Sequence, residues 1–258
     1  GTGDTFFDIA ADTNLVLGNL TTASNAQFDL DTNATLTMAN LTDHDQGSCV
    51  LASGALVDAS SLTTMTNVSL TLANGSHLNA PLLVDIGGST VNLSSDLQQF
   101  THGALSSIDA RLLISGGVVF SSVSDTEYNA TLLPLNAAVI SADGAGSAID
   151  LPVVQTINAG WNDNSSAVRY QQIVASNGAT IDLSGVTTMI SPWQPTDRLD
   201  IIVNHDGAGV SLIDLSSLQT LSSAGTGDTF FDIAADTNLV LGALTTASNV
   251  QFDLDTNA

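Results

Sequence analysis

Apolar residues recur in columns 21 positions apart over the first third of the chain. Phe7, Phe28, Cys49 and Leu70 form one column, and Ile9, Leu30, Leu51 and Leu72 a second. Leu15, Leu36, Val57 and Leu78 form a third, and Leu20, Leu41, Leu62 and Leu83 a fourth. Between the second and third columns stand Asp12, Asn33, Gly54 and Gly75, again 21 apart. Apolar residues separated by one position are strand patterning, and Asx or Gly between two such runs supplies a turn. The three- and four-residue spacing of a helix is missing. Each 21-residue unit therefore predicts a short strand, a turn, a second strand and a corner. One such unit cannot bury its inner side chains alone. Stacked copies can, with equivalent residues in columns around a narrow core.

Further along, the spacing changes. From about Ile86 the coils shorten, with turns expected at Gly88, Gly103 and Gly117 and strand phrases at Val91-Asn92-Leu93 and Ile108-Asp109-Ala110. Residues 118–137 carry no legible coil. Ile149-Asp150-Leu151 then recurs as Ile181-Asp182-Leu183 and Ile213-Asp214-Leu215, each 32 on, and Thr156, Thr188 and Thr220 keep step. The turn at Asp143 recurs at Asp206. The added residues, Trp161 to Arg169 and Pro192 to Arg198, predict loops bulging from a corner, because proline removes a ladder hydrogen bond.

A second period overlies the first. Residues 1–34 return as residues 225–258, an offset of 224, with two changes: Asn19 becomes Ala243 and Ala26 becomes Val250. The reading is one complete tandem repeat, 1–224, followed by the start of the next, 225–258, continuous with it. About ten coils per repeat, at the ~4.8 Å between paired strands, would be on the order of 50 Å long. The fold class expected is all-β, a parallel β-solenoid (β-helix) with no helical domain.

Charge narrows the partners. Twenty-six acidic residues face three cations, Arg111, Arg169 and Arg198, for a formal net charge of −23. That balance argues against nucleic acid or an anionic membrane surface, and no apolar run approaches the ~18–20 residues of a span. Cys49 is the single cysteine, placed by its column as a buried apolar thiol.

The columns, the Asx/Gly turns and the phrase Gly178 to Met189 (GATIDLSGVTTM) resemble parallel β-solenoids, similar to the right-handed β-helix repeats of secreted bacterial adhesins and giant surface fibres. Leucine-rich repeats share the L-x-L-x-x-L phrase, but their regular Asn and helical return segment are missing. The resemblance implies an elongated extracellular or cell-surface scaffold, and the right hand comes from it alone.

Several residue groups invite chemistry. Alternation points the Asp of each I-D-L phrase outward, so stacking would align Asp58, Asn79, Asn92, Asp109, Asp150, Asp182 and Asp214. Such a column is either a solvated, salt-screened face or a line of oxygen ligands on which Ca²⁺ would bridge coils. Calcium is the one cofactor with a case, and no metal ligand set is assigned. Asp43-His44-Asp45 and His205-Asp206 read as polar turns; His77 and His102 are isolated. Catalysis is not expected. The solenoid enzymes that cleave polysaccharides need Arg or Lys beside clustered carboxylates, and only Arg198, between Asp197 and Asp200, approaches that arrangement. The Thr pairs Thr21-Thr22, Thr63-Thr64, Thr187-Thr188 and Thr245-Thr246 read as internal hydrogen-bond ladders rather than an ice-binding face. Eight N-x-S/T sequons occur, at Asn19, Asn33, Asn40, Asn67, Asn74, Asn92, Asn129 and Asn164; in a chain this rich in Asn, Ser and Thr many arise by chance, and they become glycan sites only where the source has the machinery.

The functional expectation is a structural protein whose copies stack end to end into a filament or stalk, with lateral contact between rods at the corner loops that hold Trp161 and Trp193. The alternative is an adhesin whose loops bind a carbohydrate or protein receptor.

Overall fold

A computed structural model describes residues 4–95, 99–205 and 209–256. Asp206 and the first three residues of the opening phrase lie outside the described residues. The chain divides into two units, Gly1–Ala110 and Arg111–Ala258. Both are built from parallel strands, and no helix occurs among the described residues.

Unit 1 holds β1 (Thr5–Ile9), β2 (Asn14–Val16), β3 (Thr22–Leu30), β4 (Thr35–Thr37), β5 (Asp43–Leu51), β6 (Leu56–Asp58), β7 (Thr64–Leu72), β8 (His77–Ala80), β9 (Thr90–Leu93) and β10 (Gln99–His102). The odd-numbered strands stack in the order β1-β3-β5-β7-β9, the even-numbered ones in the order β2-β4-β6-β8-β10. Register follows the 21-residue columns: Phe7 pairs with Phe28, Phe28 with Cys49 and Cys49 with Leu70, while Leu15, Leu36, Val57 and Leu78 pair likewise. These columns are the core, and Phe28, Leu30, Leu36, Leu51, Leu70 and Leu72 are fully buried.

The turn column works as its chemistry demands. Asp12, Asn33, Gly54 and Gly75 all have φ between 56° and 72°, the left-handed region that Asx and Gly tolerate. Amide-to-carbonyl bonds close the turns, Ala34 to Asp31 and Ala55 to Ala52, each at 3.0 Å. A Cβ at Gly54 would lie 2.5 Å from Asn33 Oδ1, so that position needs glycine for space as well as conformation.

A third corner was not foreseen. Within β3, β5 and β7 the residues Asn25, Gln46 and Asn67 have φ of 53°, 55° and 57°, and Gly88 continues the column at 70°. Each long strand therefore bends once, and the residues before the bend also pair between coils. This places Asp43-His44-Asp45 inside β5, paired with Thr22-Ala23-Ser24 on one side and Thr64-Met65-Thr66 on the other. The expected polar turn is a strand with a buried histidine at its centre. Gly88 and Gly117 have the positive φ of turns; Gly103 does not, but a Cβ there would lie 2.9 Å from the Pro81 and Leu83 carbonyl oxygens.

Unit 2 holds β11 (Arg111–Ser115), β12 (Val119–Ser121), β13 (Glu127–Asn129), β14 (Ala137–Asp143), β15 (Ala148–Asp150), β16 (Thr156–Asn158), β17 (Tyr170–Ser176), β18 (Thr180–Asp182), β19 (Thr188–Ser191), β20 (Arg198–Val203), β21 (Leu212–Asp214), β22 (Thr220–Ser223), β23 (Asp228–Ile233), β24 (Asn238–Val240), β25 (Thr246–Ala247) and β26 (Val250–Leu254). Three parallel stacks run β11-β14-β17-β20-β23-β26, β12-β15-β18-β21-β24 and β13-β16-β19-β22-β25. Ile149, Ile181 and Ile213 pair in register, as do Thr156, Thr188 and Thr220. The stretch 118–137 contains a coil after all: Phe120 in β12 and Tyr128 in β13 are buried, and Tyr128 Oη donates to Val139 O at 3.2 Å. Among the described residues five coils begin in unit 1 and four in unit 2 before the sequence returns at β23, nine against about ten expected.

Candidate functional site: the joint between repeat copies

The returning sequence occupies two environments, and the comparison locates the site. In the first copy β1 is the outermost strand of its stack and β3 is covered by β5. In the second, β23 lies between β20 and β26, and β26 is outermost. Burial reverses accordingly. Phe7 is half-buried and Thr5 exposed, while their counterparts Phe231 and Thr229 are buried. Phe28 and Leu30 are fully buried, while Phe252 and Leu254 are 49% and 61% exposed. The internal geometry of the two copies is otherwise alike: Phe7 stacks on Phe28 at 5.1 Å between centroids, and Phe231 on Phe252 at 4.8 Å.

The covering surface is the coil of β20, β21 and β22. Ile201 pairs with Phe231 and Val203 with Ile233, Leu212 and Asp214 pair with Asn238 and Val240, and Thr220 pairs with Thr246. Close approach is built into the opening phrase. A Cβ on Gly225 would meet Trp193 O at 2.4 Å, and one on Gly227 would meet Pro192 O at 2.6 Å and Gln194 O at 2.8 Å. The backbone amides of Thr226 and Gly227 donate to Trp193 O and Pro192 O at 2.9 and 3.1 Å. The Pro192–Trp193 loop is therefore the seat on which the second copy begins. The repeated Gly-Thr-Gly was the available signal for this contact, and sequence reasoning passed over it.

Charge is concentrated here too. Arg198 Nε lies 2.8 Å from Asp200 Oδ1, and its guanidinium stands 6.0 Å from the Tyr170 ring and 5.8 Å from the Phe230 ring. The contact to Asp200 is an ion pair without an aligned hydrogen bond. Burial pushes the Asp200 carboxyl up and Arg198 opposes the shift. Beside it, Asp197 Oδ1 accepts the Arg169 amide at 3.1 Å, and Arg169 pairs with Asp163 at 3.5 Å. Burial, then Asp163, raise the Asp197 carboxyl. The Trp161 indole N–H lies close enough to favour the Asp197 charge, yet neither Nε1 nor Oδ2 has an aligned partner. Trp161 is buried whereas Trp193 is 50% exposed, which removes Trp161 from the expected lateral surface.

The expected outward acid column is two shorter ones. Asp58 pairs with Asn79, whose Nδ2 donates to Asp58 Oδ1 at 3.2 Å. Asp150, Asp182 and Asp214 align in unit 2, where burial and then Asp182 raise the Asp150 carboxyl. Asn92 instead pairs with Thr71 on the long-strand sheet, and Asp109 is in no strand. The coils change length between these segments, which breaks the alignment. No three His, Cys, Asp or Glu side chains converge as a metal site among the described residues.

His44 Nε2 sits 3.1 Å from Ala26 O with Phe28 edge-on, and burial lowers its pKa. His77 Nε2 lies 3.0 Å from Thr101 Oγ1 and His102 Nδ1 2.8 Å from Gly103 O. Burial pushes the Cys49 thiol up to about 12. The Thr pairs form the expected ladder: Thr42 and Thr63 Oγ1 donate to Thr21 O and Thr42 O at 3.0 and 2.9 Å, and Thr245 Oγ1 to Gln219 O at 3.1 Å. Comparison with known protein families, with curated proteins and with solved structures gave no match.

Proposed function

We propose that the chain belongs to a structural array whose repeat copies stack end to end through this joint into a filament or stalk outside the cell or on its surface, as in the adhesin and surface-fibre solenoids its sequence resembles. One observation carries the reading: the coil of β20, β21 and β22 pairs with β23, β24 and β25, whose sequence is that of β1, β2 and the start of β3. Each added copy repeats a contact that already exists, so length grows without a new interface and without any reaction. Backbone ladders along the stack share load, and buried Phe, Leu and Ile columns hold register. The acidic surface keeps so long an object dispersed, and divalent cations are candidates for neutralising part of the Asp150–Asp182–Asp214 column.

Electron microscopy of a protein carrying three or more copies tests the proposal. The expected result is thin filaments with an axial repeat of roughly 40–50 Å, from nine to ten coils at the ~4.8 Å strand spacing. Discrete globular particles would sink it. Fraying on chelation would add calcium to the assembly; indifference to chelation would leave the acids as a solvated face. The half-exposed Trp193 favours a second reading, an adhesin loop that stacks on a sugar. Loss of glycan binding in Trp193→Ala, with filaments intact, would select it.

A further inference from the structure

We infer that Asn74 is a site of self-modification: the Gly75 backbone nitrogen attacks its side-chain amide and converts it to aspartate and isoaspartate, with water as the co-reactant and no enzyme. The Gly75 nitrogen gives up its proton and bonds to Asn74 Cγ, the Cγ–Nδ2 bond breaks, and ammonia leaves behind a five-membered succinimide. Water then opens the ring at either carbonyl. One product is aspartate; in the other the main chain runs through Cγ and is one carbon longer. The inference is independent of the joint, because it concerns a turn of unit 1 and a reaction that stacking does not use.

Two Asn-Gly pairs occur in the chain, Asn74-Gly75 and Asn177-Gly178, and the fold surrounds them differently. Both glycines take positive φ, 70° at Gly75 and 85° at Gly178, and neither has a side chain to shield the attacking nitrogen. At the second pair both reacting groups are held. Asn177 Nδ2 donates to Asp143 Oδ1 at 2.8 Å, and the Gly178 amide donates to Ser211 Oγ at 3.0 Å. Each bond must be given up before the ring closes, and the Asp143 carboxylate repels the negative charge that builds on Asn177 Oδ1 during attack.

The first pair has the opposite surroundings. Asn74 and Gly75 are exposed, and the nearest atom to a Cβ on Gly75 would be 3.8 Å away, so the turn has room to close a ring. Ser95 Oγ donates to Asn74 Oδ1 at 2.9 Å. That is the oxygen on which charge develops, so the hydroxyl draws electrons from Cγ and stabilises the tetrahedral intermediate. The consequence falls on the coil stack. Asn74 O accepts the Gly54 amide at 3.1 Å, and the Ser76 amide closes the turn on Ala73 O at 3.1 Å. An extra backbone carbon between Asn74 and Gly75 lies inside that turn, so isoaspartate loosens both bonds and adds a carboxylate to an already acidic surface.

Peptide mapping of the aged full-length chain by mass spectrometry tests it, with heavy-oxygen water marking each ring opening and fragmentation that separates isoaspartate from aspartate. Samples are incubated at mildly alkaline pH, native and in urea. In the native chain Asn74 should convert faster than Asn177 by roughly tenfold or more, the factor that one retained hydrogen bond supplies. In urea, where neither Ser95 nor Asp143 keeps its place, the two sites should convert at similar rates. Ser95→Ala should slow Asn74 several-fold in the native chain and leave its rate in urea unchanged, while Ser95→Thr, which keeps the hydroxyl, should retain the native rate. In the converted fraction, amide exchange at Gly54 and Ser76 should speed up. Native conversion of Asn74 no faster than that of Asn177 would overturn the site. A gap that persists in urea would overturn the fold as its cause, and an unchanged native rate in Ser95→Ala would overturn the part given to the hydroxyl.

Discussion

Four phenylalanines give the joint a quantitative test. Phe7, Phe28, Phe231 and Phe252 are two residues seen twice, and burial crosses over between copies: Phe28 and Phe231 are fully buried, Phe7 is half-buried and Phe252 is 49% exposed. Truncating a buried Phe to Ala removes its transfer free energy and leaves a cavity, about 3–5 kcal/mol in all. Truncating a half-exposed one forfeits only part of a transfer term of about 1.5–3 kcal/mol and opens no closed cavity, so about 1–1.5 kcal/mol is lost. Phe231→Ala should therefore exceed Phe7→Ala by about 2 kcal/mol, although the same amino acid stands at the same place in the same phrase. Because the chain has two units, one unfolding midpoint would mix them; amide exchange in β3 and β23 reads each copy separately. The expected difference is roughly thirtyfold in opening constant, with Phe28→Ala matching Phe231→Ala and Phe252→Ala matching Phe7→Ala. Equal losses for Phe7→Ala and Phe231→Ala would refute the claim that β20 covers the second copy. In a chain extended by a further copy, the Phe252→Ala penalty should climb to that of Phe28→Ala.

Three more expectations follow from the joint and its surroundings. Gly227→Ala places a Cβ against the Pro192 and Gln194 carbonyls, so β23 protection should fall by about 1–3 kcal/mol while β3 is unchanged; a neutral result would mean the seat is soft. Acid should move the two units oppositely. The raised carboxyls Asp150, Asp197, Asp200 and Asp232 of unit 2 contribute stability that is fully present below the ordinary aspartate value of 3.8 and lost as pH rises through their folded values. Lowered His44 in unit 1 contributes stability present above 6.5 and lost as pH falls through its folded value, so exchange measured across this range should show β23 gaining protection and β5 losing it, with His44→Gln flattening the latter. Finally, Asp182→Asn dilutes three stacked carboxylates that repel by about 1 kcal/mol per neighbouring pair in water. It should raise the melting temperature in chelator, and a drop in calcium instead would identify the column as a cation site.

The sequence disclosed the columns because four successive coils have equal length, so every inward residue has a counterpart at one fixed spacing. It disclosed the turns because Asp12, Asn33, Gly54 and Gly75 are the residue types that accept positive φ. The bend inside the long strands escaped because Gln46 is not a turn former; only its neighbours Asn25, Asn67 and Gly88, at the same spacing, carry the signal. Residues 118–137 escaped because Phe120 and Tyr128 are single buried side chains on three-residue strands, without an equivalent at a familiar interval. The joint was half-legible. Repetition marked where it lay, but the seat for Gly225 and Gly227 depends on backbone that only folding brings near. Trp161 misled because a loop residue is normally exposed, and here the loop folds its indole inward beside Asp197.

Unequal coil lengths give unit 2 a property that unit 1 lacks. A shift of unit 1 by one coil would set Phe28 opposite Leu70 and Leu30 opposite Leu72, replacing like with like at little energetic cost. In unit 2 the pairs Leu112–Ile140, Ile140–Ile173, Ile173–Ile201 and Ile201–Phe231 step by 28, 33, 28 and 30 residues. No single shift restores all of these at once, so a slipped chain there loses its pairing and must start again. The uneven spacing acts as a key cut into a thread: it fixes the register of unit 2, where equal coils would leave the strands free to slip by one.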